Sequence, residues 1–191
     1  INQREVVGKT INFLDNFERY IKIKEKKATH LHFKRHLKTK YSKKIFIGQK
    51  INPSILKKSF SIKKIYDLAY TSPSLRCIQT AKLFSKKQKI VRGLNEINYG
   101  NVEGLTYIQL HKNYPNIIKK WSQKKDIDFP NGESTKNVSL RVKNFILFLM
   151  KFDLNKKKYL IVTHNVFLRC LIGKYFDVPM HKWHLLKINY G

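Results

Sequence analysis

The sequence predicts an α/β fold: a three-layer sandwich whose mainly parallel central sheet carries helices on both faces. Strand-like and helix-like segments alternate along the chain with short connections, which is the pattern of parallel sheets. The apolar run at residues 159–162 is continuous rather than alternating, as in a strand that is covered on both faces. No run approaches the roughly 18–20 apolar residues of a membrane helix, so we expect no membrane-spanning segment.

The elements of the first half follow from apolar periodicity and from turn residues. Pro73 stops the second strand, and Ser74 lies near the N-cap of the helix after it. In order, the predicted elements are an amphipathic helix over 1–27, a short strand over 29–34, a long polar loop over 36–55, a helix over 56–66, a strand over 67–73, a helix over 74–87 and a short strand over 89–93.

The second half continues the alternation. Ser134 or Thr135 is placed to cap a long helix whose buried stripe recurs at helical spacing. In order, the predicted elements are a loop over 94–104, a helix over 105–115 ended by Pro115, a turn over 129–135, a helix over 136–152, the strongest strand over 158–164, a helix over 165–176 and a last strand over 182–191.

The chain of 191 residues suits one domain, or one domain with an appendage. We expect residues 1–28 to be a lead-in helix or the tail of an upstream domain, because the sequence starts at Ile1 rather than Met. Residues 29–191 then form the main domain. A natural Met just before Ile1 in the gene would contradict the idea of an upstream domain.

The net charge of +28 resembles that of a nucleic-acid-binding protein, but the kind of basic residue argues against this function. Only seven of the 40 basic residues are Arg, whereas specific base and phosphate readers favour the Arg fork. We therefore expect no specific nucleic-acid partner and interpret the charge as composition drift of the kind that A+T-rich codons give. The charge should still raise the local concentration of anionic substrates. Cys77 and Cys170 are predicted to be buried reduced thiols, which indicates a cytoplasmic location.

Polar residues with chemical potential follow the strands of the predicted sheet. In parallel α/β sheets, ligands bind at the carboxyl ends of the strands. Any one of these residues, taken singly, would be interpreted as an ordinary loop or surface residue, but their joint placement at one rim is a functional signal. The residues are Arg35 and His36 after the first strand, Ser72 and Arg76 after the second, Glu96 after the third, and His164 after the strongest.

Two His, two Arg and one carboxylate are what phosphoryl transfer to a nitrogen nucleophile needs. Guanidinium forks bind the equatorial phosphoryl oxygens, over which the transition state spreads negative charge. One imidazole can attack phosphorus while the second donates a hydrogen bond. The carboxyl group can protonate the leaving alkoxide and then deprotonate the attacking water. Because the cations neutralise the charge, we expect neither a metal nor an organic cofactor.

Five motifs then resemble those of the histidine phosphatase superfamily, which has the phosphoglycerate-mutase-like fold. They occur in the family's order and cover residues 29 to about 190. The motifs are LHFKRHLKT, TSPSLRCIQTA, LNEINYGNVEG with the helix after it, NGESTKNVSLRV and YLIVTHNVFLRCLIG. The stretch IFIGQ at residues 45–49 and the SF at residues 59–60 also resemble the branch of α-ribazole phosphatases.

The resemblance implies a role for each matching residue. His36 becomes the phosphorylated nucleophile, and Arg35 and Arg76 bind the phosphoryl oxygens. His164 completes the pocket, and Glu96 is the proton donor.

Two further positions are assigned by the same resemblance. Ser42 lies where many members have a phosphate-contacting Asn, and Asn165 is placed to contribute its backbone amide.

One position departs from the family pattern. The Gly that usually follows the nucleophile is Leu37 here, which imposes an ordinary backbone conformation or some strain. The leading hypothesis is a phosphomonoesterase of small phosphorylated metabolites. One alternative is phosphoryl transfer of the phosphoglycerate-mutase type. The other is a domain whose catalysis is impaired because Leu37 blocks the pocket, and which only binds phosphorylated ligands.

The substrate stays open at this point. The candidates are α-ribazole phosphate, a sugar phosphate or bisphosphate, and a broad set of metabolites. Residues 107–129 correspond to the variable cap region of the family, and their polar and aromatic side chains are candidates for selecting the leaving group. These are Tyr107, His111, Lys112, Tyr114, Trp121 and Lys124.

Overall fold

A computed structural model describes residues 30–41, 44–56, 65–151 and 157–191 of the protein. The predicted helix over 1–27, nearly all of the helix over 56–66, and Ser42 lie outside the described residues. The boundary expected near residue 28 also stays a prediction.

Four parallel strands form the sheet of the described residues. They are β1 (His30–Arg35), β2 (Leu68–Thr71), β3 (Gln88–Ile90) and β4 (Lys158–Thr163). Their spatial order is β1-β4-β2-β3, so the last strand in sequence lies between the first two. Because every pairing is parallel, all four carboxyl ends meet at one edge of the sheet.

The helices connect and cover these strands. Ser134 Oγ accepts a hydrogen bond from Asn137 N, and Asn137 Oδ1 accepts one from Ser134 N, so a capping box begins the longest helix. The helices are α1 (Leu75–Phe84), α2 (Tyr107–Asn113), α3 (Pro115–Ser122), α4 (Thr135–Met150) and α5 (Asn165–Tyr175), with 3₁₀ turns at Arg92–Leu94, Gly100–Val102 and Met180–Leu185.

Both faces of the sheet are covered, which confirms the predicted three-layer architecture. On one face, Tyr70 and Ile161 pack into the large cluster that contains Phe145 of α4 and Phe167 of α5. On the other face, neighbouring strand residues such as Leu160 pack against α1. Continuous apolar sequence in β4 is therefore explained by burial of alternate residues on opposite sides. None of the described helices combines the length and hydropathy needed to cross a membrane.

One expectation about local structure was wrong, and one helix was not predicted. The segment over 182–191 is a 3₁₀ turn followed by non-strand chain, because its backbone carbonyls accept hydrogen bonds from Arg169 and Arg35 side chains rather than from a neighbouring strand. Pro115 follows the end of α2, as expected, but it also begins α3, which the sequence analysis did not predict. Proline suits the first turn of a helix because its missing N–H would have no intrahelical partner there.

Candidate active site

The carboxyl edge of the sheet opens into a cavity of about 190 Å³. The structure brings most of the predicted site residues to this cavity, and we call it the phosphate pocket. Its lining includes Arg35, His36, Arg76, Glu96 and Asn165. His164 lies immediately behind His36, with 5.3 Å between the ring centroids, and it is fully buried.

His36 is held as a neutral imidazole. Its Nδ1 lies 2.7 Å from the carbonyl oxygen of Leu37, and a carbonyl only accepts, so Nδ1 carries the proton and Nε2 keeps its lone pair. Burial, together with the charges of Arg76 and Arg35, lowers the pKa of His36 to about 3. The imidazole is therefore uncharged and able to attack at neutral pH.

His164 is fixed by hydroxyl and thiol groups. Its Nε2 lies 2.9 Å from Ser72 Oγ and 3.3 Å from Cys77 Sγ. Ser72 in turn contacts the Asn95 side chain at 3.0 Å. Burial first, and the Arg76 charge second, lower the pKa of His164 well below its ordinary value. Both cysteines are buried free thiols, as predicted, and Cys77 belongs to the site.

Arg76 is positioned by backbone carbonyls. It is 2% exposed, and its guanidinium donates to Gly48 O at 2.8 Å and to Ile51 O at 3.1 Å. The loop that supplies these carbonyls wraps around the carboxylate of Glu103. Four successive amides donate to that carboxylate: those of Gly48, Gln49, Lys50 and Ile51. A carboxylate from the third motif therefore fixes the arginine of the second.

Arg35 is held by the end of the described chain. Its Nη1 donates to Ile188 O at 2.8 Å, and its Cζ lies 3.9 Å from the centroid of the Tyr190 ring. Arg35 Nε is buried and has no hydrogen-bond partner within the described ranges. An unpaired buried donor is costly, so this N–H is the group that a phosphoryl oxygen would satisfy.

Glu96 combines burial with selective hydrogen bonding. Its Oε1 accepts from Ile97 N at 3.0 Å and from Val166 N, in the first turn of α5, at 3.1 Å. Burial raises the pKa of Glu96 above its ordinary value, against the opposing effect of these amides and of Arg76. A carboxyl group that keeps its proton closer to neutral pH suits a general acid.

Leu37 takes an ordinary backbone conformation. It is absent from the described non-glycine residues with positive φ, and its amide donates to Thr80 Oγ1 at 3.0 Å. Thr80 Oγ1 also donates to Arg76 O at 2.7 Å. This one side chain of the second motif therefore contacts the backbone of both Leu37 and Arg76. Leu37 is not among the described residues that line the phosphate pocket, which argues against a blocked site.

A second cavity of about 170 Å³ adjoins the phosphate pocket, and Phe46 and Tyr99 line both. We call it the adjoining pocket. Of the six cap-region candidates, only Trp121 and Lys124 are among its described lining residues. Basic side chains outnumber acidic ones in its polar lining, where Asp126 is acidic and the basic residues are Lys124, Lys125, Arg169, His181 and His184.

Arg169 is the pocket residue that the sequence analysis left without a role. The fifth motif includes an Arg at this position, so the signal was present in the match. Its Nε donates to Leu186 O at 2.8 Å, which ties α5 to the segment after the last 3₁₀ turn.

Comparisons with known proteins agree with this geometry. The family model described as histidine phosphatase superfamily (branch 1) matches residues 55–191. Fructose-2,6-bisphosphatase of Saccharomyces cerevisiae is 30% identical over 114 residues, which are 59% of this chain and 24% of that protein. Human 6-phosphofructo-2-kinase/fructose-2,6-bisphosphatase 4 is 30% identical over 129 residues, 66% of this chain and 27% of that protein. The chain thus matches about a quarter of the length of these relatives.

Solved structures show the same fold. The α-ribazole phosphatase from Shigella flexneri superposes with a TM-score of 0.69 at 21% identity, over 84% of this chain and 86% of that one. The mycobacterial glucosyl-3-phosphoglycerate phosphatase gives 0.63 at 20% identity, over 81% and 83%.

Proposed function

The chain belongs to the histidine phosphatase superfamily (branch 1), and from this premise we propose that it hydrolyses small phosphorylated metabolites through a phosphohistidine intermediate, without a metal ion. One observation carries the proposal. A neutral imidazole with a free Nε2 lies in the same pocket as two guanidinium groups and a buried carboxyl group of raised pKa.

In the first step, the lone pair of His36 Nε2 attacks phosphorus. The N–P bond forms as the bond between phosphorus and the ester oxygen breaks, and Glu96 gives its proton to the leaving alkoxide. In the second step, the Glu96 carboxylate takes a proton from water, and the water oxygen attacks phosphorus. The N–P bond breaks, which returns the lone pair to Nε2 and releases inorganic phosphate.

The pocket supplies positive charge where the transition state needs it. Arg35 and Arg76 face the phosphoryl oxygens, and the first turn of α5 brings Asn165 and a positive helix end to the same cavity. Because these fixed charges neutralise the phosphoryl group, the proposed reaction requires no metal ion. His164 is buried behind His36 and is not among the described residues that line the phosphate pocket, so in the proposal it supports the His36 imidazole from behind.

We further propose that the substrate carries a second anionic group. The basic lining of the adjoining pocket lies next to the phosphate pocket, and a second phosphate on the leaving group would reach it. Among the open candidates, this favours a sugar bisphosphate, in agreement with the fructose-2,6-bisphosphatases that the chain resembles. The proposed partners are therefore small phosphorylated metabolites rather than a specific nucleic acid. The two free cysteines support a cytoplasmic location as part of the proposal.

The test is hydrolysis of p-nitrophenyl phosphate by the natural chain and by His36→Ala, each with and without EDTA. We expect release that EDTA leaves unchanged and that the substitution lowers by about 10⁴-fold. Phosphate trapped on the natural chain after acid-free quenching, and absent from His36→Ala, would identify the intermediate. No hydrolysis of any tested phosphate ester by folded protein would overturn the proposal.

A substrate panel then follows, comparing fructose 2,6-bisphosphate, fructose 6-phosphate and α-ribazole phosphate. The proposal expects the highest kcat/KM for the bisphosphate. A preference for α-ribazole phosphate would contradict the proposed second anionic group of the substrate, but it would still support phosphatase activity.

A further inference from the structure

The segment after the last 3₁₀ turn lies against the wall of the phosphate pocket. We call residues 186–191 the C-terminal strap. Leu186 O accepts from Arg169 Nε, and Gly191 N donates to Arg35 O at 3.1 Å. The strap thus runs from an arginine of the adjoining pocket to an arginine of the phosphate pocket.

Within the strap, Tyr190 makes the contact nearest to the chemistry. Its ring lies 3.9 Å from Arg35 Cζ, with its centroid 5.6 Å from that of His36, and it lines the same cavity. A guanidinium over an aromatic face gains from the charge and from stacking. Because Ile188 O takes one Nη1 hydrogen, the guanidinium is held on one edge and on one face.

The remaining donors of Arg35 are then oriented for a ligand. Its buried Nε has no partner among the described residues, although the guanidinium is fixed by the strap. We propose that Tyr190 is a positioning residue that holds the Arg35 guanidinium for the phosphoryl group. The inference rests on the proposed function, since it concerns the same site.

The backbone of the strap explains why this contact is possible. A Cβ at Gly191 would lie 2.2 Å from Lys34 Cγ and 2.4 Å from Arg35 O, so a side chain there would displace the strap from β1. A Gly191→Val substitution therefore moves the strap without altering Tyr190 itself. Leu185 lies just before the strap with an exposed side chain, and Leu185→Ala is a matched control.

The experiment measures orthovanadate affinity and kcat/KM for p-nitrophenyl phosphate in Tyr190→Phe, Tyr190→Leu, Gly191→Val and the control. We expect Tyr190→Phe and Leu185→Ala within about twofold of the natural chain. Tyr190→Leu and Gly191→Val should weaken both quantities roughly tenfold, the size of one partly desolvated cation–π contact. The pH profile of Tyr190→Leu should be unchanged, because the ring transfers no proton.

An NMR measurement that does not depend on catalysis separates the role of Tyr190 from the proposed phosphatase function. In ¹H–¹⁵N spectra, the Arg35 Nε–H signal should carry a ring-current shift that Tyr190→Phe keeps and Tyr190→Leu loses. If the natural chain hydrolyses nothing while this shift behaves as expected, the proposed function fails and the positioning contact stands. Natural-like vanadate binding by Tyr190→Leu, tighter binding, or an equal loss in Tyr190→Phe would each overturn the role of the ring.

Discussion

The phosphate pocket and the adjoining pocket share a wall but are built differently. In the first, His36, Arg76 and Glu96 are buried and held by backbone groups. The neighbouring Leu37 carbonyl holds His36, whereas groups far along the chain hold Arg76 and Glu96. In the second, Lys124 and Lys125 are exposed and come from the chain just after α3. In the proposed function, the chemistry depends on buried groups held by hydrogen bonds, whereas selection of the leaving group depends on exposed side chains.

The largest effect on activity should come from altering a buried cation of the phosphate pocket. We expect Arg76→Lys to lower kcat/KM by about 10²–10³-fold for every substrate, because an ammonium cannot reproduce the fork that binds two carbonyls and still faces phosphate. Steady-state kinetics on a monophosphate and a bisphosphate would measure it. Exposed Arg92→Lys is the matched control. A loss confined to one substrate would contradict the contrast.

The general acid should show a leaving-group signature. We expect Glu96→Gln to reduce kcat by about 10²-fold for an alkyl phosphate and by less for p-nitrophenyl phosphate, whose leaving group needs little protonation. Since burial raises the pKa of Glu96, the natural chain should lose activity as pH rises through that pKa. Rate profiles between pH 5 and 9 would test this. The variant should lack the alkaline decline, and an unchanged decline would assign it to another group.

The buried imidazoles should also make folding stability depend on pH. The folded pKa of His36 is about 3 against an ordinary 6.5, so the unfolded chain binds the extra proton between those values. Stability is therefore full above pH 6.5 and is lost as pH falls, by about 1.4 kcal/mol per pH unit for one such group. Urea unfolding at pH 7.5 and 5.0 would measure it. His36→Asn should flatten the dependence, and equal slopes would argue against a buried neutral imidazole.

The smallest effect should come from the adjoining pocket. We expect Lys125→Gln to raise KM for a bisphosphate roughly fivefold and to leave p-nitrophenyl phosphate unchanged, as suits one exposed charge contact. Lys120→Gln, on α3 and outside the described lining of both pockets, is the control. An equal change for both substrates would remove the distinction between the two pockets.

The parts that could be predicted from sequence are those that local pattern determines. The apolar run of β4 and the rule that ligands bind at strand ends placed His36, Arg76 and His164 at one edge, as the structure has them. The fold class followed from the same alternation. The conformation of Leu37 also agreed with what a residue with a Cβ requires.

The parts that were missed depend on contacts between distant residues. The carbonyls of Gly48 and Ile51 accept from Arg76, and the last segment binds Arg35 and Arg169, although no periodicity encodes such side-chain partners. The sequence over 182–191 therefore resembles a strand, although no strand forms there. Pro115 was an ambiguous signal, since proline both follows helices and begins them.

The place of β4 between β1 and β2 has a consequence for synthesis of the protein. His36 and Arg76 emerge from the ribosome early, but the strand that joins their two strands starts at Lys158. Parallel pairing between strands far apart in sequence is slow, because the entropy cost of closing the loop comes before the strand contacts that stabilise the pairing. A nascent chain that ends before β4 contains His36, but β1, the strand that precedes this residue, still lacks the strand with which it pairs. The protein therefore completes its charged pocket only after β4 has been translated.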